Sequence, residues 1–121
     1  MKMTVLLIKP GMEPEVVDID SGLESLQKAV GGDIAATYPY EDPVAIICND
    51  DGKLMGLPLN RALRDECGNI YDVIAGNFLI VGLTEDSFGT LSDDLAEKYS
   101  SLFETPEEFF ISHNKLCVVP Q

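Results

Sequence analysis

The sequence predicts an α+β fold in which two or three helices pack on a mixed, largely antiparallel sheet. Short runs of apolar and β-branched residues recur along the chain between turn-forming residues, as expected for sequential strands. Other segments carry apolar residues at helical spacing. The length of 121 residues and the hydrophobic content of 45% are typical of one globular domain, so residues 1–121 are treated as a single domain.

Apolar runs in the first half of the chain predict five strands, over residues 4–8, 15–20, 34–39, 44–48 and 53–57. Pro39 places the third strand near a sheet edge, because proline cannot donate a ladder hydrogen bond. Residues 49–52 predict a hairpin turn between the last two strands, with Gly52 at positive φ. Pro58 should end this pairing, and residues 59–64 are predicted to form a short helical turn or a loop.

Two longer apolar runs follow a polar turn at residues 65–69. They span residues 70–75 and 78–83, and Gly76 and Asn77 separate them. The separation is compatible with a hairpin turn or with one bent strand that carries a bulge at Gly76. The weak turn chemistry around Gly76 favours the bent strand.

Three helix starts are recognisable. Ser21 and Glu24 match a capping box, and Gly31 should end this first helix in the left-handed conformation. Its apolar face would be Leu23, Leu26 and Val30. Residues 90–93 predict the start of a second helix with the apolar face Leu95, Ala96, Tyr99, Leu102 and Phe103. Residues 105–108, with proline and two glutamates after a threonine, predict a third start.

The chain should close with a strand. Phe109 and Phe110 are expected to pack inward from the third helix, and His113 and Asn114 to turn the chain. Residues 116–119 then form an apolar run typical of a strand.

The net charge of the chain makes some classes of binding partner unfavourable. The chain has 21 acidic and 8 basic residues and a net charge of −13, which repels bare nucleic acid and anionic membranes. Residues 85–108 are especially acidic, with Lys98 as their single base. We expect the C-terminal helical face to bind a basic protein surface, with solubility as the simpler explanation of the same charge. Its candidate residues are Asp93, Asp94, Glu97, Glu104, Glu107 and Glu108.

The two arginines of the chain occur together, in the segment that follows Pro58. A planar guanidinium beside an amide can bind a carboxylate or phosphate through two hydrogen bonds. Asn60, Arg61 and Arg64 are therefore the candidate residues for an anionic ligand or nucleotide. In the alternative interpretation Arg61 pairs with Asp65 or Asp72, and Asn60 caps a turn.

Catalytic patterns are scarce, and no catalytic residue, metal site or cofactor is predicted. His113, the one histidine, stands in a polar turn. Cys48 and Cys117 lie in apolar runs and are expected to be buried and reduced. Cys67 lies in a polar turn, where a thiol reagent could label it. The apolar run near the N-terminus is too short for a signal peptide, so a cytoplasmic location without membrane association is expected.

A family resemblance joins several of these segments. The chain resembles the bacterial and phage proteins grouped as domain of unknown function 3846 over roughly residues 3–100. The resemblance rests on an N-terminal Leu-Ile-Lys-Pro-Gly, the helix with Val30-Gly31-Gly32, the Gly56–Arg64 segment, and the runs at residues 70–76 and 78–83. The family has no assigned reaction. The resemblance implies an accessory role on phages, plasmids and conjugative elements.

Two function classes follow. The first is a non-enzymatic protein that binds a basic partner through its acidic face, in one form as a DNA mimic that occupies a nucleic-acid-binding host protein. The second is a binder of a small anionic ligand through Asn60 and Arg61. Salt distinguishes them, because screening weakens an exposed charged interface far more than a buried bidentate contact. The sequence does not predict an oligomeric state.

Overall fold

The computed structural model describes residues 2–121, which form an α+β fold of ten strands and two helices. Every strand pair in this part of the chain is antiparallel, so the predicted fold class is confirmed. The strands are β1 (Lys2–Ile8), β2 (Glu15–Asp20), β3 (Ile34–Thr37), β4 (Val44–Asn49), β5 (Leu59–Arg64), β6 (Ile70–Ala75), β7 (Phe78–Leu83), β8 (Phe88–Gly89), β9 (Glu107–Ser112) and β10 (Lys115–Pro120). The helices are α1 (Leu23–Val30) and α2 (Asp93–Leu102).

A central sheet organises the molecule. Its strand order is β2-β1-β7-β4-β3, and the short β8 adds to β7. Strands β1, β4 and β7 are buried on both faces, which is why their sequences are continuous apolar runs rather than alternating ones. Leu6 and Ile46 both lie opposite Ile80, so these three side chains share one face. The predicted strands at 4–8, 15–20 and 44–48 are confirmed. The strand predicted at 34–39 forms over residues 34–37 only, and it lies at an edge of the sheet as expected.

Each face of the central sheet carries its own apolar cluster. Helix α1 buries Leu26 and Val30 on one face, against side chains that include Val5 and Ile47. On the opposite face α2 buries Tyr99, and the strand pair β5–β6 packs beside it. The molecule is therefore three layers thick around the sheet, and the candidate site residues belong to the α2 and β5–β6 layer.

The segment 50–64 differs from its prediction. Residues 50–56 form successive turns rather than a strand that returns along β4, and residues 59–64 form strand β5 rather than a helical turn or loop. Gly52 does not adopt positive φ. It is needed for space, because a Cβ there would lie 2.8 Å from the carbonyl oxygen of Ala75. Pairing with β6 and burial of Ala62 and Leu63 override the weak strand propensity of β5.

Residues 70–75 and 78–83 are neither a hairpin nor one bent strand. Strand β6 pairs with β5 in a separate two-stranded sheet, whereas β7 lies at the centre of the main sheet. The break is at Gly76, which has φ of 80° and donates its N–H to the carbonyl of Pro58 at 2.7 Å. Glycine adopts this conformation without strain, so it turns the chain from one sheet into the other.

The helix ends confirm part of the prediction. Gly31 ends α1 in the left-handed conformation and donates to the carbonyl of Gln27. The predicted capping box does not form, because Gly22 is the N-cap residue and makes no side-chain bond. Of the predicted apolar face, Leu26 and Val30 are buried, whereas Leu23 is outside the core and 58% exposed. At α2 the predicted start is confirmed, since Ser92 Oγ accepts the N–H of Leu95 at 3.4 Å.

The C-terminal segment corrects the third predicted helix. Residues 107–112 form β9, which pairs with β10 through a two-residue turn at His113 and Asn114. Both turn residues have positive φ, the geometry that suits a tight hairpin. Phe110 does not pack inward and is 47% exposed. The predicted turn and closing strand are confirmed, whereas the proline–glutamate start signal precedes a strand.

Candidate functional site

Arg61 is buried in a cage of oxygen atoms. Its side chain is 1% exposed and makes five hydrogen bonds. Nε and Nη2 both donate to the carbonyl oxygen of Phe103, and Nη2 also donates to that of Met12 at 2.6 Å. Nη1 donates to the main-chain and side-chain oxygens of Asn60. A guanidinium has five N–H groups, so none remains for a ligand.

Asn60 is equally saturated. It is fully buried, and its amide nitrogen donates to the carbonyl oxygens of Ile8 at 2.9 Å and Gly76 at 2.8 Å. Its side-chain oxygen accepts from Arg61 at 2.8 Å. The two side chains therefore tie together the end of β1, the corner after β6 and the end of α2. The predicted carboxylate partners of Arg61 are wrong, because Asp72 binds Lys53 and Asp65 accepts N–H groups within its own turn.

The electrostatics of Arg61 fit a structural role. Burial lowers the pKa of its guanidinium, and the nearby carboxylate of Glu107 opposes this shift. The carbonyl that it binds belongs to Phe103, the C-cap residue of α2. The C-terminus of a helix carries partial negative charge, which favours a cation there. Arg61 thus stabilises the helix end that carries no basic residue of its own in the last turn.

Arg64 and Glu107 join the two predicted sets of residues. Arg64 Nη2 lies 2.7 Å from Glu107 Oε2, and the other carboxylate oxygen accepts the main-chain N–H of Ala62 at 2.9 Å. The Glu107 side chain is only 10% exposed. Glu107 therefore serves as a partner of β5 and does not belong to an exposed acidic helical face. Glu108 is exposed but lies on β9, so it too is outside the helix.

A cleft of about 420 Å³ opens beside these residues, between β5, the end of α2 and β9. Its wall includes Arg61, Arg64 and Glu107, together with Tyr40 and Phe103. The two cations are already paired or saturated, and His113 is not among the lining residues.

Four acidic side chains remain on the outer surface of α2 and just beyond it, and we call them the α2 acidic surface: Asp93, Asp94, Glu97 and Glu104. All four residues are exposed, and none forms a salt bridge within residues 2–121. Asp93 and Glu97 also border a groove of about 350 Å³ beside Thr4 of β1. Thr4 donates to the carboxylate of Asp18, which extends the acidic character towards β2.

Lys98 does not neutralise this surface, because it is held by a network that the sequence did not predict. Its ammonium lies 2.5 Å from Asp42, and the same carboxylate oxygen accepts the hydroxyl of Tyr99 at 2.7 Å. Hydrogen bonds from Lys98 and Tyr99 lower the pKa of Asp42. The ring of Tyr40 packs against that of Tyr99, tilted by 42° with centroids 4.9 Å apart. Burial, followed by the neighbouring Tyr71, raises the pKa of Tyr40 to about 12. Lys98 and Tyr99 lie 56 and 57 residues from Asp42 along the chain, so no local pattern reveals this network.

The cysteines are all free, and their burial differs from the prediction. Cys67 is exposed as expected, but Cys48 and Cys117 are only partly buried. Within residues 2–121 no group of three or more His, Cys, Asp or Glu side chains is placed to hold a metal ion. In the same part of the chain no helix combines the length and the apolar character needed to cross a membrane.

Comparison with known proteins gives one family. The family described as Domain of unknown function (DUF3846) matches residues 1–104 of the 121 residues. No curated protein and no solved structure matched the chain. The matched segment includes Asn60, Arg61 and all of α2, and it ends before the β9–β10 hairpin. Because the match covers most of the chain, this protein belongs to the DUF3846 family.

Proposed function

We propose that this protein is a non-enzymatic accessory protein that binds a basic protein through the α2 acidic surface. The observation that carries the proposal is the set of four exposed carboxylates, Asp93, Asp94, Glu97 and Glu104, that have no cationic partner within residues 2–121. Unpaired surface charges of one sign steer and orient a partner of the opposite sign. The site differs from the predicted one by the loss of Glu107 and Glu108.

The placement of Asp93 and Glu97 favours recognition of an extended basic surface. The two residues are four positions apart on α2, so their side chains project from one face about 6 Å apart along the axis. Asp18 on β2 continues the negative charge across the neighbouring groove. Exposed negative charges on neighbouring elements are also what a nucleic-acid backbone presents to a basic protein, which supports a DNA mimic as the specific form of the proposal.

The geometry supports a protein partner over a small anionic ligand. A small anion would need free donors, but every N–H of Arg61 and of the Asn60 amide is already used. Arg64 is the exposed cation of this region, and it already binds Glu107. An anion in the cleft would therefore have to break existing hydrogen bonds, at a cost of about 1–3 kcal/mol each.

The setting of the function is also a proposal. The family resemblance implies a place among genes of phages, plasmids and conjugative elements, where an acidic protein can occupy a host enzyme that acts on nucleic acid. We therefore place the protein in the cytoplasm, where such an enzyme would meet it. The net charge of −13 disfavours direct binding of nucleic acid or of an anionic membrane.

An affinity capture with matched variants tests the proposal. The wild-type chain, immobilised through a tag, is exposed to bacterial lysate at low salt, and the retained proteins are identified by mass spectrometry. The test variant changes Asp93 and Asp94 to Asn and Glu97 to Gln. The control variant changes Glu24 to Gln and Asp50 and Asp51 to Asn. It removes the same charge from exposed positions of α1, on the opposite face of the sheet, and of the 50–56 turns.

The proposal expects a basic protein that wild type and control retain and the test variant loses. Addition of salt should release it, since screening acts on exposed charges. If all three chains retain the same proteins, or if only an Arg64→Gln variant loses them, the α2 acidic surface is not the binding site.

A further inference from the structure

The β9–β10 hairpin has an apolar character on both faces. Four of its large apolar residues are well exposed: Ile111 at 70%, Phe110 at 47%, Leu116 at 45% and Val119 at 38%. The hairpin pairs with no other strand of residues 2–121, and it lies beyond the segment that matches the family. Two-stranded sheets with exposed apolar faces are marginally stable alone, so the hairpin is suited to join another strand.

The register of the hairpin identifies its free edge. In a two-residue hairpin the flanking residues, Ser112 and Lys115, form a hydrogen-bonded pair, and such pairs alternate along the ladder. The main-chain N–H and C=O groups of Leu116 and Val118 therefore point away from β9. Pro120 follows at the next outward position, where its missing N–H breaks no bond to β9. Strand β10 thus presents two residues with unpaired ladder groups.

We propose that β10 pairs antiparallel with β10 of a second copy, around a two-fold axis at Cys117, so that the two hairpins form one four-stranded sheet. In this register Leu116 of each copy exchanges both main-chain hydrogen bonds with Val118 of the other. A register centred on Val118 would leave the carbonyl of Leu116 unpaired, because it would face Pro120, which has no N–H to donate. Of these two registers, the one centred on Cys117 uses all the outward groups of Leu116 and Val118.

The side chains complement this arrangement. On one face Ile111 and Leu116 of one copy continue into Val118 and Phe109 of the second copy, so exposed apolar side chains gain apolar neighbours. On the other face the row consists of Glu108 and Val119 of one copy, followed by Lys115 of the second. Glu108 and Lys115 lie two strands apart, about 10 Å between Cα atoms, which their long side chains can span.

This charge complementarity is specific to a second copy. Because of the two-fold axis, Lys115 of each copy lies in the same row as Glu108 of the other copy, so the contact occurs twice. Neither Lys115 nor Glu108 has an ionic partner within residues 2–121. A strand of an unrelated protein would have no reason to carry a cation at that position. The inference is independent of the α2 acidic surface, which belongs to a different element.

Molecular mass measured by light scattering tests the inference, over a range of protein concentration that reaches millimolar. The inference expects a dimer, at twice the chain mass of 13.2 kDa. Val118→Pro removes one outward N–H without touching the β9–β10 bonds and should return the mass to that of the monomer. Val118→Ile is the matched control, because it keeps this N–H and a β-branched apolar side chain, and the dimer should persist.

Oxidation with diamide gives a second readout that needs no change at the edge. In the Cys48→Ser, Cys67→Ser background, two Cys117 thiols give up two protons and two electrons to diamide and form an intermolecular disulfide. Opposed residues of a non-hydrogen-bonded pair have Cα atoms about 4.5 Å apart, within the range of disulfides. A chain that keeps Cys67 alone should not cross-link at the same rate.

Reversal of the charges at Lys115 and Glu108 is the third test of the proposed dimer. Lys115→Glu or Glu108→Lys should weaken the dimer roughly tenfold, and the double reversal should restore it. A mass of 13.2 kDa at millimolar concentration overturns the inference, whatever the cross-linking shows, and would leave the edge to a strand of another protein. A dimer that resists Val118→Pro and Lys115→Glu, or that cross-links through Cys67, also overturns it.

Discussion

Arg61 donates two hydrogen bonds to the carbonyl oxygen of Phe103, from Nε at 3.2 Å and from Nη2 at 3.0 Å. Phe103 ends α2, and its ring packs edge-on against Phe78 of the central sheet with centroids 5.4 Å apart. The arginine therefore fixes the helix that carries the α2 acidic surface. Its role in function is to position this helix, because its donors are not available to a ligand.

Replacement of Arg61 by lysine should destabilise the fold. An ammonium has three donors and no planar fork, so it cannot serve Phe103, Met12 and Asn60 together. We expect a loss of about 3 kcal/mol in the free energy of unfolding, measured by urea denaturation. Arg64→Lys, at the exposed ion pair, should cost less than about 1 kcal/mol. Equal losses for the two variants would contradict the cage around Arg61.

Replacement of Asn60 by aspartate should be similarly costly. The carboxylate keeps the shape but has no N–H for the carbonyls of Ile8 and Gly76, and it would be buried against them. We expect a loss of about 3 kcal/mol in the free energy of unfolding, with Asn69→Asp in the exposed turn as a control that changes little. An Asn60→Asp variant as stable as wild type would show that the amide donors are dispensable.

Acid should weaken the tie between Asp42 and α2. Hydrogen bonds from Lys98 and then Tyr99 hold the pKa of Asp42 in the folded chain below its ordinary value. Its stabilising contribution is therefore fully present above the pKa that the group has in the unfolded chain, and it is lost as the pH falls through the lower pKa of the folded chain. Urea denaturation between about pH 5 and about pH 2 should show this loss. In the Asp42→Asn variant the unfolding free energy should depend less steeply on pH.

The control for this titration is Glu41→Gln, which removes the exposed acid one residue earlier. This variant should keep the decrease of unfolding free energy at low pH that Asp42 causes. If Asp42→Asn and wild type show the same dependence of unfolding free energy on pH, the network with Lys98 and Tyr99 does not contribute to stability.

The thiols should differ in reactivity. Burial, and then the carboxylates of Asp72 and Asp50, raise the pKa of Cys48, which disfavours its reactive thiolate. Cys67 is exposed in the turn between β5 and β6. With chains that keep a single cysteine, a thiol reagent in native buffer should label Cys48 at least roughly tenfold more slowly than Cys67. Comparable rates would show that the edge of the sheet around Cys48 opens readily.

The sequence predicted the central sheet well, because strands β1, β4 and β7 are buried on both faces and therefore read as continuous apolar runs. The sequence did not predict β5, because Asn60 and Arg61 are polar residues of types that usually lie on the surface, whereas here both are buried. Their burial depends on main-chain oxygens at Ile8, Met12 and Phe103, up to 52 residues away. A main-chain acceptor leaves no residue-type signal in a sequence.

The acidic site was predictable in part. Asp93, Asp94 and Glu97 fall opposite the apolar face of α2, so helical periodicity placed them on the surface. Glu107 could not be assigned in this way, because Thr105 and Pro106 are a helix start signal that here precedes a strand. The pairing of Glu107 with Ala62 and Arg64 across the chain decides its conformation.

The most direct test of the central claim is the salt dependence of affinity for the protein captured by the wild-type chain. The affinity should fall steeply with added salt, and the slope should become shallower when Asp93, Asp94 and Glu97 are neutralised. Arg64→Gln should leave the slope unchanged. An affinity that is insensitive to salt, or that is lost with Arg64→Gln and kept in the neutralised variant, would contradict a function based on the α2 acidic surface.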